Sequence, residues 1–500
     1  MSRKAQTQLA VKGTTVLESE WEWEFEMKRL LATTAFLAVA VNAQAADLAV
    51  KTPYLKAPVA MVYDWTGFYI GVNAGVGIGR NNQTLTFPGF PSFEQSYLSP
   101  QGALGGAQIG YNWQTNSAFG PLVLGVEADI QGAGLRDDYT CLLTCRTGGP
   151  VITGRFDQRL DWFGTVRGRV GLATGPVLSY VTAGFAYGGV KTSITENIIA
   201  PLGTFTSDRL RGGWTVGSGV EVAVSGNWTA KIEYLYVDLG NRADTFALGG
   251  FPQTLDTEIR ENIFRAGLNY RIGGNGAYAP VATANWAGFY LGGNFGSGTA
   301  RDRTSLNVLG TNEQFNLAPD GIIGGVQAGY NWQAANWVFG VEADIQGSTQ
   351  KDNRTCVSNC QGINGTFANY EAKLPWFGTV RGRLGYSVGS TLFYATGGYA
   401  YGGVKTNINS TFLNGPVSSR FSATKGGWTA GAGIETPFSF LGVFGPNWTS
   451  KTEYLYVDLG STSGLIVDAG GPAVSTTSVK EHIFRTGLNY HFNSPVVAKY

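Results

Sequence analysis

Two arginines stand two residues apart in WFGTVRGR at Trp162–Arg169, and the same eight residues return at Trp376–Arg383. Arg167, Arg169, Arg381 and Arg383 lie in stretches that are otherwise apolar or glycine-rich. Guanidinium groups in such a setting call for carboxylates. Glu127 and Asp129 in GVEADIQG, Glu221, and Glu233 in KIEYLYVDLG supply them, with Lys231 and Arg265 as further cations. The second set is Glu342, Asp344, Glu435 and Glu453 with Arg381, Arg383, Lys451 and Arg485. Each set balances four negative against four positive charges. Two chemistries fit: a neutral ion-paired network filling an interior, where charges must be paired and hydrogen-bonded, or a charged ring lining a conducting pore. The equal count in both sets favours the network.

Other reactive residues are few. The four cysteines form two C-x3-C pairs, Cys141 with Cys145 and Cys356 with Cys360. An even count in an exported chain points to one small loop disulfide per pair. Two thiols per loop without histidine fall short of a zinc site. His482 and His491 align with Asn262 and Arg271 of the first half, so they belong to no duplicated site and read as surface or rim residues. Asp161 and Asp64 are the remaining acids that an enzymatic reading would use, with a rim salt bridge to Arg167 the simpler role for Asp161. GVNAGVGIG lacks the GK[ST] of a nucleotide loop. No catalytic residue, cofactor or metal ligand is therefore expected.

The elements that carry these charges follow from repetition and alternation. WTGFYIGVNAG from Trp65 matches WAGFYLGGNFG from Trp286, an offset of 221, and YGGVKT at Tyr187 matches Tyr401, an offset of 214. GYNWQ, GVEADIQG, EYLYVDLG and an IFR-x-GLNY ending recur between them, so each copy is a whole domain. Eight strand-like segments lie near 65–80, 102–113, 119–131, 160–174, 176–190, 211–224, 227–240 and 261–272. Long polar connections alternate with short turns, the pattern of a transmembrane antiparallel barrel. Strand side chains alternate between faces. Phe163, Thr165, Arg167 and Arg169 share one face, Trp162, Val166 and Val170 the other. The segment LSYVTAGFAYGG does not declare its faces. An arginine facing lipid at the midplane costs about 2–4 kcal/mol, so the charged faces point inward, and Trp162, Trp214, Tyr234 and Tyr236 form aromatic girdles outside.

Composition agrees. Charged residues are 14% of the chain and glycine supplies 72 of 500 residues, against about 25% charged in ordinary soluble domains. A net charge of +1 gives no field for nucleic acid. MKRLLATTAFLAVAVNAQA reads as a signal peptide over 27–45, cut between Ala45 and Ala46. Residues 1–26 read as a spurious extension before it. A periplasmic linker over 46–64, a barrel over 65–272, a linker over 273–285, a second barrel over 286–492 and a tail over 493–500 complete the plan.

These motifs, in this order and twice over, make the chain resemble the small outer-membrane β-barrel proteins of alphaproteobacteria, which include surface and immunogenic proteins. The resemblance implies eight-stranded barrels, outer-membrane location, envelope or surface roles and no catalytic residues. The expected fold is all-β, two tandem eight-stranded up-and-down barrels, with one sixteen-stranded barrel acting as a porin as the alternative. The expected work is non-catalytic envelope structure and surface display. Expected partners are outer-membrane lipid and lipopolysaccharide, the barrel-assembly machinery, and host or envelope surfaces met through the loops.

Overall fold

The computed structural model describes residues 63–493 apart from 87, 89–92, 119, 142–152, 198–200, 274–282, 309–310, 357–366, 413–414, 439–443 and 469–470. The signal peptide with Ala45 and Ala46, residues 1–26, nearly all of 46–64, Cys145 and Cys360 lie outside the described residues, as do the side chains of Cys141 and Cys356. The two expected disulfides therefore fall there too.

The first repeat forms β1 (Gly67–Gly79), β2 (Asn81–Thr86), β3 (Phe93–Leu98), β4 (Gln101–Ser117), β5 (Gly120–Cys141), β6 (Thr153–Thr174), β7 (Val177–Asn197), β8 (Pro201–Ser225), β9 (Trp228–Leu248) and β10 (Phe251–Ile272). The second forms β11 (Gly288–Ala300), β12 (Asp302–Val308), β13 (Thr311–Leu317), β14 (Asp320–Ala334), β15 (Trp337–Cys356), β16 (Phe367–Val388), β17 (Thr391–Phe412), β18 (Gly415–Pro437), β19 (Trp448–Asp468) and β20 (Gly471–His491). In each repeat eight strands pair antiparallel, β1 with β4 and then in chain order to β10, and β11 with β14 and then on to β20, while the β2–β3 and β12–β13 hairpins extend the sheet from β10 and β20. The ring closes where β1 meets β10 and β11 meets β20. Two separate eight-strand rings result, and the single sixteen-stranded barrel is not formed. Closure leaves no unpaired edge within the membrane, as lipid requires.

At one end the strands are joined by tight turns, save the longer connection between Pro437 and Trp448. Gly175, Gly226 and Gly389 take φ of 58°, 54° and 58° there, a region closed to most side chains. Ala335 occupies the same left-handed region at 53° without being glycine. By the barrel rule this is the periplasmic end.

The strands run much further at the other end than the sequence pattern indicated. β5 to β10 are 21–25 residues long, so most of the expected polar connections are continued strand. The reason is visible along β6. Up to Trp162 the outward residues are apolar and the inward ones charged. Past a register shift between Leu160 and Trp162 the pattern inverts: Phe156 and Leu160 are buried inside while Arg155 and Arg159 are exposed. Lipid on the outside has given way to water, so the apolar side turns inward. Similar shifts at Gly132/Leu135 in β5 and Glu258/Arg260 in β10 mark the change of solvent.

Paired aromatics fix the two membrane boundaries. At the outer boundary Trp214 packs on Tyr236 at 5.4 Å and Trp162 on Tyr187 at 6.1 Å. At the periplasmic boundary Trp228 packs on Tyr270 at 5.1 Å and Phe68 on Tyr111 at 4.6 Å. The second repeat duplicates this with Trp428–Tyr456 and Trp448–Tyr490. Tyr234 is the exception among the expected girdle residues. It packs against Phe264 and, across the gap between repeats, against Phe484 at 5.6 Å.

Candidate functional site in the charged barrel interior

The interior of each ring is stacked in layers. At the periplasmic mouth Trp65 does not open the first strand as expected but turns inward and is fully buried. Its neighbours are Val123, Leu178 and Ala223. Its indole Nε1 donates to the Gly175 carbonyl at 3.2 Å, and its backbone N–H donates to Gln114 at 2.8 Å. Gly67, at φ 135°, carries the chain from this stopper into β1. Trp286 does the same in the second repeat, its Nε1 donating to Ser387 Oγ at 3.1 Å.

Above the stopper sit the sixteen charged residues singled out in the sequence, and their side chains are at most 5% exposed. Arg167 donates to Glu127 at 2.5 Å, Asp129 at 2.9 Å and Glu233 at 3.0 Å. Arg265 reaches Asp129 at 2.8 Å and Glu233 at 2.7 Å. Lys231 donates to Glu127 at 2.9 Å, and Arg169 to Glu221 at 2.9 Å. The second network has the same wiring. Arg381 holds Glu342, Asp344 and Glu453, and Arg485 holds Asp344 and Glu453. Lys451 meets Glu342 at 2.9 Å, and Arg383 meets Glu435 at 2.7 Å.

Neutral donors complete the carboxylates. Tyr69 donates to Glu127 at 2.7 Å, Tyr180 to Glu233 at 2.9 Å, Thr165 to Asp129 at 2.8 Å and Asn269 to Glu221 at 2.8 Å. Tyr290, Tyr394, Thr379 and Asn489 are their counterparts. Thr165 already lay on the charged face in the sequence, but the tyrosines were missed, although Tyr69 shares the parity of Gly71 and Asn73, and that polar face was there to be followed. Glycine makes the tyrosines possible. A Cβ at Gly110 would lie 2.2 Å from the Tyr69 hydroxyl, and one at Gly219 would lie 2.6 Å from that of Tyr180.

The two histidines are not surface residues. His491 is buried, with Nε2 3.1 Å from Glu435, where the first repeat has Arg271 turned down to the carbonyls of Asp64 and Thr66. His482 is buried with Nδ1 2.7 Å from the Tyr454 hydroxyl. Asp161 makes no rim bridge to Arg167. It is exposed at the outer register shift, whereas the Asp64 carboxylate accepts from the Thr66 N–H at the periplasmic mouth. The two acids stand at opposite ends of the barrel wall and form no common site.

A third layer closes the stack. Leu135, Leu160, Phe163, Leu235, Val237 and Ile263 form a buried apolar cluster above the first network. Ile323, Leu374, Phe377, Leu455, Val457 and Ile483 do so above the second. Among the described residues no set of three or more histidine, cysteine or acidic side chains is arranged to hold a metal ion.

Closed antiparallel rings with girdled apolar exteriors and paired charges inside define a transmembrane barrel of the outer-membrane type. The sequence profile of the outer membrane protein beta-barrel domain matches residues 31–271 and again 274–492, and the chain belongs to that family. A 31 kDa outer-membrane immunogenic protein of Brucella melitensis is 36% identical over 256 residues, 49% of this chain and all of that one. A 22 kDa outer membrane protein of Rhizobium leguminosarum is 33% identical over 43% of this chain and 82% of its own length. Each such relative thus corresponds to one repeat. Among solved structures, Neisserial surface protein A aligns with 41% of this chain and 98% of its own at 15% identity and a TM-score of 0.21. The Pseudomonas putida toluene transporter TodX covers 85% of this chain at 9% identity and a TM-score of 0.25. The protein is an outer-membrane protein that crosses the bilayer with strands.

Proposed function

We propose that the protein is a non-conducting, non-catalytic envelope component whose barrels hold a display surface above the outer membrane. The observation that carries this reading is the stacking inside each ring. A conducting barrel needs a continuous wet lumen. Across both lumens here lie a buried tryptophan, a charge network with its side chains turned on one another, and an apolar layer. The acids of the network are satisfied by cations within the same layer, and Asp64 and Asp161 stand apart at opposite ends of the wall. The continued strands carry the loops well away from the bilayer, where lipopolysaccharide, host surfaces or other envelope proteins would meet them. Insertion would rest on the barrel-assembly machinery.

The test is electrical. Purified full-length protein added to planar bilayers is expected to give no unitary conductance steps. Steady ion-conducting steps from heat-modifiable, folded protein would sink the proposal and favour the channel alternative. Protease treatment of intact cells checks display separately: cleavage confined to the loop tips is expected.

A further inference from the structure

The two rings touch through a surface that repeats itself. Above Pro100 the wall of the first barrel is unzipped. Among the described residues β3 pairs only with β2, and the top of β5 pairs only with β6, so a seam stays open between β3 and β5. The second barrel has the same seam between β13 and β15. Unpaired strand edges of this kind are normally blunted or covered. Here each seam is covered by the other.

The ion pairs cross. Arg80 of the first repeat bonds Asp352 of the second at 2.6 Å, and also Asp320 at 2.8 Å. Arg301 of the second repeat bonds Asp137 of the first, joined by Asn316. Arg80 and Arg301 are equivalent residues, 221 apart, and Asp137 and Asp352 are equivalent, 215 apart. Each aspartate also caps the kink beside its own seam, Asp137 accepting from Ser99 N–H and Asp352 from Ala318 N–H, both at 2.8 Å.

The apolar contacts obey the same rule. Leu98 and its counterpart Leu317 join one buried cluster with Phe156 and Ile194 from the first barrel and Tyr370 and Ile408 from the second. Lower down, Tyr234 stacks on Phe484 and Phe264 packs on Tyr454 at 5.1 Å, again a reciprocal exchange. Residue i meeting j while the equivalent of j meets the equivalent of i is the mark of an isologous, two-fold interface.

We propose that this face is a self-complementary docking surface whose partner is a second copy of the same barrel, and that the tandem chain is such a dimer fused by its linker. Each repeat carries both members of the pair, an arginine at the seam and an aspartate beside it. The interface closes on itself, so it fits one partner and does not propagate.

The experiment uses the full chain with a protease site inserted in 274–282, folded in detergent and then cleaved. The two halves are expected to co-elute on size exclusion, with both retaining a heat-shifted band on SDS gels. The double variant Arg80→Asp, Arg301→Asp is expected to elute as separate folded barrels after cleavage. Adding Asp137→Arg and Asp352→Arg should restore co-elution at least in part. Separation of the unmodified halves on cleavage, which needs no variant to fold, would overturn the proposal. So would co-elution unaffected by reversing both arginines.

Discussion

At the scale of single residues, the charge networks set the largest local energies. Arg167, its side chain 1% exposed, touches three carboxylates at 3.0 Å or less. Removing one partner of a buried pair strands the rest, at about 3–5 kcal/mol. Arg167→Leu is therefore expected to lower the urea midpoint strongly, with Arg381→Leu doing the same in the second barrel. An unchanged midpoint for either would show that the pairs are solvated. Gly110 is a subtler case. Gly110→Ala places a methyl group 2.2 Å from the Tyr69 hydroxyl and 2.3 Å from its ring carbon Cζ, and overpacking of this sort costs about 1–3 kcal/mol. The same change should cost less in a Tyr69→Ala background, where the ring is gone; a double-mutant cycle with zero coupling would refute the contact.

At the scale of elements, turns and stoppers can be tested apart from the networks. Ala335 holds φ 53° in a periplasmic turn, a conformation that costs a side-chain-bearing residue about 1–2 kcal/mol. Ala335→Gly should relieve most of that strain, less the extra unfolded-state entropy of glycine, and raise the unfolding midpoint slightly. A lower midpoint would mean the turn is not strained. Trp65→Ala removes the stopper at a cost of about 3–5 kcal/mol, yet current through the barrel is expected to stay absent, because the charge and apolar layers remain. Conductance in that variant would assign the whole barrier to Trp65.

The elements also show what could be read beforehand. WFGTVRGR and GVEADIQG gave up their faces because lipid on one side and ion pairs on the other leave unlike residues at alternate positions. β7 withheld its faces because Ser179, Ala183 and Tyr187 outside differ little in type from Thr182, Ala186 and Tyr180 inside. The continued strands were hidden for a different reason. Their polarity inverts where the surrounding solvent changes, so RFDQRL in β6 looks like loop to a rule tuned for lipid. Trp65 was misplaced because a tryptophan at a strand entrance and one folded in as a stopper have the same neighbours in sequence.

At the scale of the molecule, each ring is closed by its own first and last strands. Ala46–Gly273 expressed alone should then refold in detergent with β-type circular dichroism and a heat-shifted band. Failure of either half to fold, while the full chain does, would mean that the open seam must be covered before the ring is stable. The seams themselves were beyond the sequence. Arg80, Asp137, Arg301 and Asp352 stand in polar stretches where nothing in the local pattern distinguishes a loop charge from one half of a crossing pair.

On β9 twelve residues separate Tyr236, at the outer girdle, from Leu248 at the tip. At about 3.3 Å per residue and a tilt of about 45°, they lift the tip about 25–30 Å. Electrostatic screening in physiological salt acts over about 8 Å. The loop tips thus stand some three screening lengths clear of the charged headgroups. A protein ligand arriving there feels the field of the loops and not that of the membrane, so its affinity should be indifferent to lipid charge while remaining sensitive to the salt that screens the loops themselves.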